Sequence, residues 1–186
     1  MTARSFLAVV VDALDASAIP FMVCGSVASS FHGTFRSTQD LDLVVEADAP
    51  ALARLVAALQ EAGFYVDFDS ALRALGREGQ FNAIETSSGW KADFVVRKSR
   101  PFSREEFARR IDVDIEGTRL SVATAEDVVL TKLEWAARAG SERQIEDVVG
   151  ILRSLGDRLD RSYIERWVRE LGIEALWERA LERANS

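Results

Sequence analysis

Apolar positions along the chain change their period several times, and each change marks an element. Residues from about Ser5 to Ala16, "SFLAVVVDALDA", carry apolar side chains at helical spacing and predict an amphipathic first helix. Pro20 then leads into a short apolar strand, "FMVCG", and a helix of small residues follows Gly25 and Ser26. "DLDLVVE" is an apolar run that closes on an acid and predicts a strand. "APALARLVAALQEAG" returns to helical spacing and ends on Gly, a common helix stop. "FYVDF" predicts a short strand, and "SALRALGREG" a short helix or turn. "QFNAIETS" and "WKADFVV" read as two strands joined through a Ser-Gly turn, and "IDVDIEGTRLSVA" as a further hairpin. From Thr124 the pattern is helical throughout: four segments, the first three closed by Gly, with Thr124 and Ser141 as expected N-caps. The prediction is a mixed α/β domain over residues 1–123 followed by a helical unit over 124–186.

Composition narrows what such a chain does. Its 186 residues are 48% hydrophobic and 28% charged, enough for a real core without staples. A single cysteine, Cys24, excludes an internal disulfide, and a single histidine, His32, excludes a Cys/His zinc cluster. A reducing, cytoplasmic setting is expected. No apolar run approaches the ~18–20 residues of a membrane helix, and no membrane partner is expected. The net charge of −7 speaks against a broad nonspecific grip on nucleic acid. The basic stretch Val96–Arg110 is expected to be a solvated helix and loop rather than a phosphate-facing patch.

The strand "DLDLVV" carries a contradiction. Alternation puts Asp40 and Asp42 on one face and Leu41 and Leu43 on the other. Two neighbouring carboxylates in a buried strand are unfavourable unless a cation lies between them. Oxygen ligands suit a hard divalent ion such as Mg²⁺. Asp93 interrupts the apolar strand "WKADFVV" in the same way, so neighbouring strands would bring three carboxylates to one point. Gly25 and Ser26 add a second ingredient, since glycine permits close backbone approach and helix N-termini attract phosphate. Together they predict a site for a nucleoside triphosphate and metal.

This arrangement of Gly-Ser, thirteen residues, D-x-D and a distant Asp resembles the nucleotidyltransferase superfamily with the DNA polymerase β-like fold. The stretch "HGTFRSTQDLDL" resembles more closely the AbiEii-type branch, bacterial nucleotidyltransferases known as toxins of type IV toxin–antitoxin or abortive-infection systems. The match falls on Gly25, Ser26, His32, Gly33, Arg36, Thr38, Asp40 and Asp42, with Ser26 standing where a second glycine is common in that branch. "VVLTKLEWAARAGSERQIEDVVGIL" resembles the same branch through Lys132 and Asp147. The resemblance implies an α+β fold, a nucleotidyltransferase-type mixed sheet flanked by helices and followed by a C-terminal helical unit. It implies Asp40, Asp42 and Asp93 as catalytic residues holding two Mg²⁺ or Mn²⁺ ions. Gly25, Ser26, Arg36, Lys132 and Asp147 would then bind the nucleotide, an NTP such as ATP. The acceptor hydroxyl would belong to RNA such as tRNA, to a protein, or to a small molecule, and a cognate antitoxin would be a partner.

Two of these residues also stand out without the resemblance. Lys132 falls inside the apolar arc Ala125, Val128, Val129, Leu133 and Ala136, where a lysine either snorkels or meets an anion. Asp147 lies opposite the stripe Ile145, Val148, Val149 and Leu152 and, taken alone, reads as a solvated helix acid. His32 reads as a loop-packing residue, and Cys24 as buried and inert. The rival functions are a non-catalytic nucleotide- or partner-binding module of the same fold and a haloacid dehalogenase-type hydrolase. "DLDLVV" comes too late in the chain for the latter and lacks its following Thr.

Overall fold

The structure, a computed structural model, describes residues 5–33, 38–115 and 117–186. Its first elements are α1 (Phe6–Ala16), β1 (Phe21–Val23), α2 (Gly25–Phe31), β2 (Asp40–Val45), α3 (Ala49–Glu61) and β3 (Phe64–Tyr65). Then come α4 (Phe68–Arg77), β4 (Gln80–Glu85), β5 (Lys91–Val96), α5 (Pro101–Ala108), β6 (Ile111–Ile115) and β7 (Thr118–Val122). The last helices are α6 (Ala125–Ala139), α7 (Glu142–Leu155), α8 (Arg161–Leu171) and α9 (Glu174–Ala184). The described residues fall into two compact units, 5–24 with 38–122 and 25–33 with 123–186.

The first unit is a mixed sheet with helices, the mixed α/β domain that the sequence pattern predicts and the α+β fold that the resemblance implies. Among the described residues its strand order is β3-β4-β5-β2-β1-β7-β6. The pairs β2/β5 and β1/β7 are parallel and the remaining pairs antiparallel. Strand alternation builds one apolar face from Leu41, Leu43, Ala92, Phe94, Phe81 and Ala83, all buried. Phe81 and Phe94, directly opposite one another, stack with centroids 4.9 Å apart. The stripes of α1 (Val10, Leu14) and α3 (Leu52, Leu55, Leu59) are buried in the same unit. Each such side chain contributes roughly 1.5–3 kcal/mol. The opposite face of β2 and β5 begins with Asp40, Asp42, Lys91 and Asp93.

The predicted strand "FYVDF" ends at Tyr65, and Phe68 already belongs to α4. Asp67 ends the extended run because its carboxylate accepts the Ser70 N–H at 3.0 Å and caps the helix. The segment "SALRALGREG", expected as a short helix or turn, lies within this helix up to Arg77. The basic stretch folds as α5, with Pro101 in its first turn, where the missing N–H is no loss.

The second unit is helical. Thr124 caps α6, accepting the Asp127 N–H at 3.3 Å and donating its hydroxyl to the Asp127 carboxylate at 2.6 Å. Ser141 precedes α7 as expected but makes no side-chain cap. The short helix α2 packs against α6. After it the His32 ring nitrogen Nε2 lies 2.8 Å from the Ala123 carbonyl, which makes His32 a packing residue. Gly33 has φ +107°, and a Cβ there would come within 2.2 Å of the Ser154 hydroxyl. The His-Gly step of the sequence motif thus fixes the chain against α7 and the residue ahead of α6.

Candidate active site

The parallel register of β2 and β5 sets Asp42 directly opposite Asp93 and Asp40 directly opposite Lys91. Period-two alternation then forces all four side chains onto one face. The strands carrying the three expected carboxylates are therefore neighbours. Asp40 opens β2, with 54% of its side chain exposed, while Asp42 and Asp93 are half-buried. Thr38 holds the start of the strand: its hydroxyl accepts the Asp40 N–H at 3.1 Å and lies 3.2 Å from the Asp40 carbonyl. The Asp42 carbonyl accepts the Cys24 N–H at 2.9 Å, which ties the last residue before Gly25 to this strand.

A lysine that the sequence analysis passed over lies among these acids. The Lys91 ammonium is 2.8 Å from Asp93 Oδ2 and 3.6 Å from Asp40 Oδ1. The hydrogen bond to Asp93 chiefly, helped by the charges of Asp93 and Asp40, raises its pKa above the ordinary lysine value and outweighs the effect of burial. The signal was present in "WKADFVV": a lysine two positions before an in-strand Asp shares its face. Among the described residues no three acidic, histidine or cysteine side chains are gathered closely enough to hold one metal ion. Two of the three carboxylates instead share the lysine. The donor set is nevertheless all carboxylate oxygen, the preference of Mg²⁺ and Mn²⁺. Asp40 and Asp93 share one positive centre, and a divalent cation in its place would meet the same carboxylate oxygens.

Next to Asp93 the same sheet face opens into a cavity of about 380 Å³. Asp67, Ser70, Gln80, Phe81 and Asn82 line it, and Tyr65, 65% exposed, stands at its rim. Asn82 is the register partner of Asp93 on its other side. The cavity combines carboxylates, amides and a hydroxyl with the exposed Tyr65 ring. Sequence alone gave no sign of it, because its residues come from β3, β4, β5 and the start of α4.

The remaining predicted residues lie in the second unit or outside the described chain. Gly25 has φ +61° and begins α2 together with Ser26. Arg36 lies outside the described residues. Lys132 and Asp147 pair with each other: the ammonium is 2.7 Å from Asp147 Oδ2 and 3.2 Å from Gln144 Oε1. Both are buried, at 5% and 7% exposure. Asp147 is thus not the solvated acid that its own helix suggests, because α6 covers it. Lys132 in turn does not snorkel to water. A second buried polar cluster escaped sequence reasoning: the Tyr163 hydroxyl donates to Asp127 Oδ1 at 2.6 Å.

No family model matches the chain, and no curated protein sequence does. Solved structures do share its fold. The antibiotic-resistance factor ANT(2'')-Ia has a TM-score of 0.58 at 16% identity over 96% of this chain and 94% of its own. An antigenic nucleotidyltransferase-like protein from Paracoccidioides brasiliensis has a TM-score of 0.56 at 18% identity, covering 94% and 90%. The lincosamide antibiotic adenylyltransferase LnuA, in a lincomycin-bound structure, has a TM-score of 0.52 at 10% identity, covering 76% and 91%. The fold of this chain is that of nucleotidyltransferases.

Proposed function

We propose that the protein is a metal-dependent nucleotidyltransferase that moves a nucleoside monophosphate from an NTP to the hydroxyl of a small molecule. The observation that carries this reading is the register of β2 against β5, which pairs Asp42 with Asp93 beside a cavity of small-molecule size. Asp40, Asp42 and Asp93 would hold Mg²⁺ or Mn²⁺, which when bound neutralises triphosphate charge and stabilises the departing pyrophosphate. Asp93 borders the cavity and would accept the proton of the acceptor hydroxyl as its oxygen bonds to the α-phosphorus and the bond to pyrophosphate breaks. Tyr65, Asn82 and Asp67 would orient the acceptor, and the two lining carboxylates favour one bearing amines. ANT(2'')-Ia, solved in complex with adenylyl-2''-tobramycin, offers a parallel for such an acceptor.

The phosphate roles of Gly25, Ser26 and Arg36 rest on the sequence resemblance. For Lys132 and Asp147 we propose a shared role: the pair fastens α6 to α7, and nucleotide contact by either one requires the pair to part.

A second reading, transfer to RNA or protein as an AbiEii-type toxin with a cognate antitoxin, is favoured by the match at His32, Gly33, Arg36, Thr38, Asp40 and Asp42. One experiment separates the two. Purified protein is incubated with each α-³²P-labelled NTP and Mg²⁺, and with either total RNA or a panel of aminated polyols. Label on a small molecule supports the first reading, and label on RNA or on the protein the second. Absence of labelling and of pyrophosphate release in every arm, with Asp42→Asn indistinguishable from wild type, refutes both.

A further inference from the structure

We propose that Lys91 is a tethered counter-cation that competes with the divalent ion for Asp40 and Asp93, and thereby sets the metal affinity of the site. The inference rests on the metal reading given above. It starts from register: Lys91 faces Asp40 across the β2/β5 pair and precedes Asp93 by two residues on the same face. The ammonium lies 2.8 Å from one carboxylate and 3.6 Å from the other. Mg²⁺ takes carboxylate oxygens at about 2.0–2.1 Å and keeps waters around it. Its hydrated shell and the ammonium therefore claim the same volume, and their charges repel.

Asp40 and Asp93 are drawn to a monovalent partner carried by the chain itself. Lys91 is also able to leave. Its side chain is 33% exposed, and a lysine stem is a flexible four-carbon tether whose head is readily rehydrated. In the metal-free protein Lys91 relieves repulsion among the acids, and metal binding requires its departure.

The test titrates Mn²⁺ into wild type, Lys91→Met and Lys91→Gln, reading bound metal by electron paramagnetic resonance and apo stability by thermal melting. Removing one positive charge a few ångströms from a divalent ion in a largely solvated setting should tighten Mn²⁺ binding about tenfold. The apo proteins should melt lower than wild type, and saturating Mn²⁺ should raise their melting temperatures more than it raises that of wild type. The glutamine variant keeps a polar head and carries the test if the methionine variant does not fold. If wild type binds Mn²⁺ and both variants bind it equally or more weakly, Lys91 is not a competitor, and the metal reading stands without it. If none of the three binds Mn²⁺ at millimolar concentration, the metal reading fails and the inference falls with it.

Discussion

Removing the ammonium of Lys132 should destabilise the helical unit far more than a surface change would. Lys132→Met keeps the aliphatic volume but leaves Asp147 without its 2.7 Å partner at a site where both side chains are nine-tenths buried. Breaking a buried pair by deleting one member typically costs 3–5 kcal/mol, because the surviving charge stays desolvated. Asp147 makes further interactions, so the lower end, about 3 kcal/mol, is expected here. At roughly 2–4 °C per kcal/mol for a chain of this size, the melting temperature should fall by about 6–12 °C. Lys132→Met/Asp147→Leu replaces the pair with apolar volume and should return to within about 1 kcal/mol of wild type. Tryptophan fluorescence in a urea titration is the natural assay, since Trp135, Trp167 and Trp177 all lie in the helical unit. A single variant within about 0.5 kcal/mol of wild type, a difference typical of surface changes, would refute the argument. So would a double variant no more stable than the single one.

Gly33→Ala should cost about 1–3 kcal/mol, because φ is +107° and the new Cβ meets Ser154; Ser154→Gly in the same chain should recover part of it in urea titrations. Asp42→Asn should melt at or above the apo wild-type temperature, since Asp42 faces the like charge of Asp93, and should lose pyrophosphate release; a variant that fails to fold would assign Asp42 a structural role. Glu142 is bonded mainly to Arg179 and also to Arg183, which lowers its pKa from 4.5. A carboxylate lowered on folding stabilises above its unfolded value, and that contribution disappears as pH falls through the folded value. The small deficit of Glu142→Gln at pH 7 should therefore shrink progressively as pH falls below the ordinary value of 4.5, and melting curves showing a deficit that grows instead would contradict the ion pair.

Features written in one strand or helix were legible in the sequence, and features made by pairing were not. The D-x-D of β2 showed its facing through alternation alone. Lys132 showed its burial because it fell within an apolar arc. That Asp93 stands opposite Asp42 is a matter of register between strands about fifty residues apart, which no local period encodes. Asp147 illustrates the same point on a helix: its own stripe turned it toward water, and α6 covered it. The cap at Asp67 cut the predicted strand "FYVDF" short at Tyr65 and gave Phe68 to the following helix, because one side-chain hydrogen bond favoured a helix start there. Lys91 was readable by period, but its importance depended on knowing what lay across from it.

The path of the chain between the two units has a consequence for the order of synthesis. The chain leaves the first unit after Cys24, is back in it at Thr38, and leaves again after Val122. Helix α2 therefore emerges from the ribosome long before its packing partner α6, which begins at Ala125. At about 5–20 residues per second, that interval is roughly 5–20 s. A helix of seven residues does not persist alone in water. The seven strands among the described residues, by contrast, are complete by Val122. A chain ending at that residue would already include both aspartate strands, while the segment beginning Gly25-Ser26 would still lack the helix that holds it.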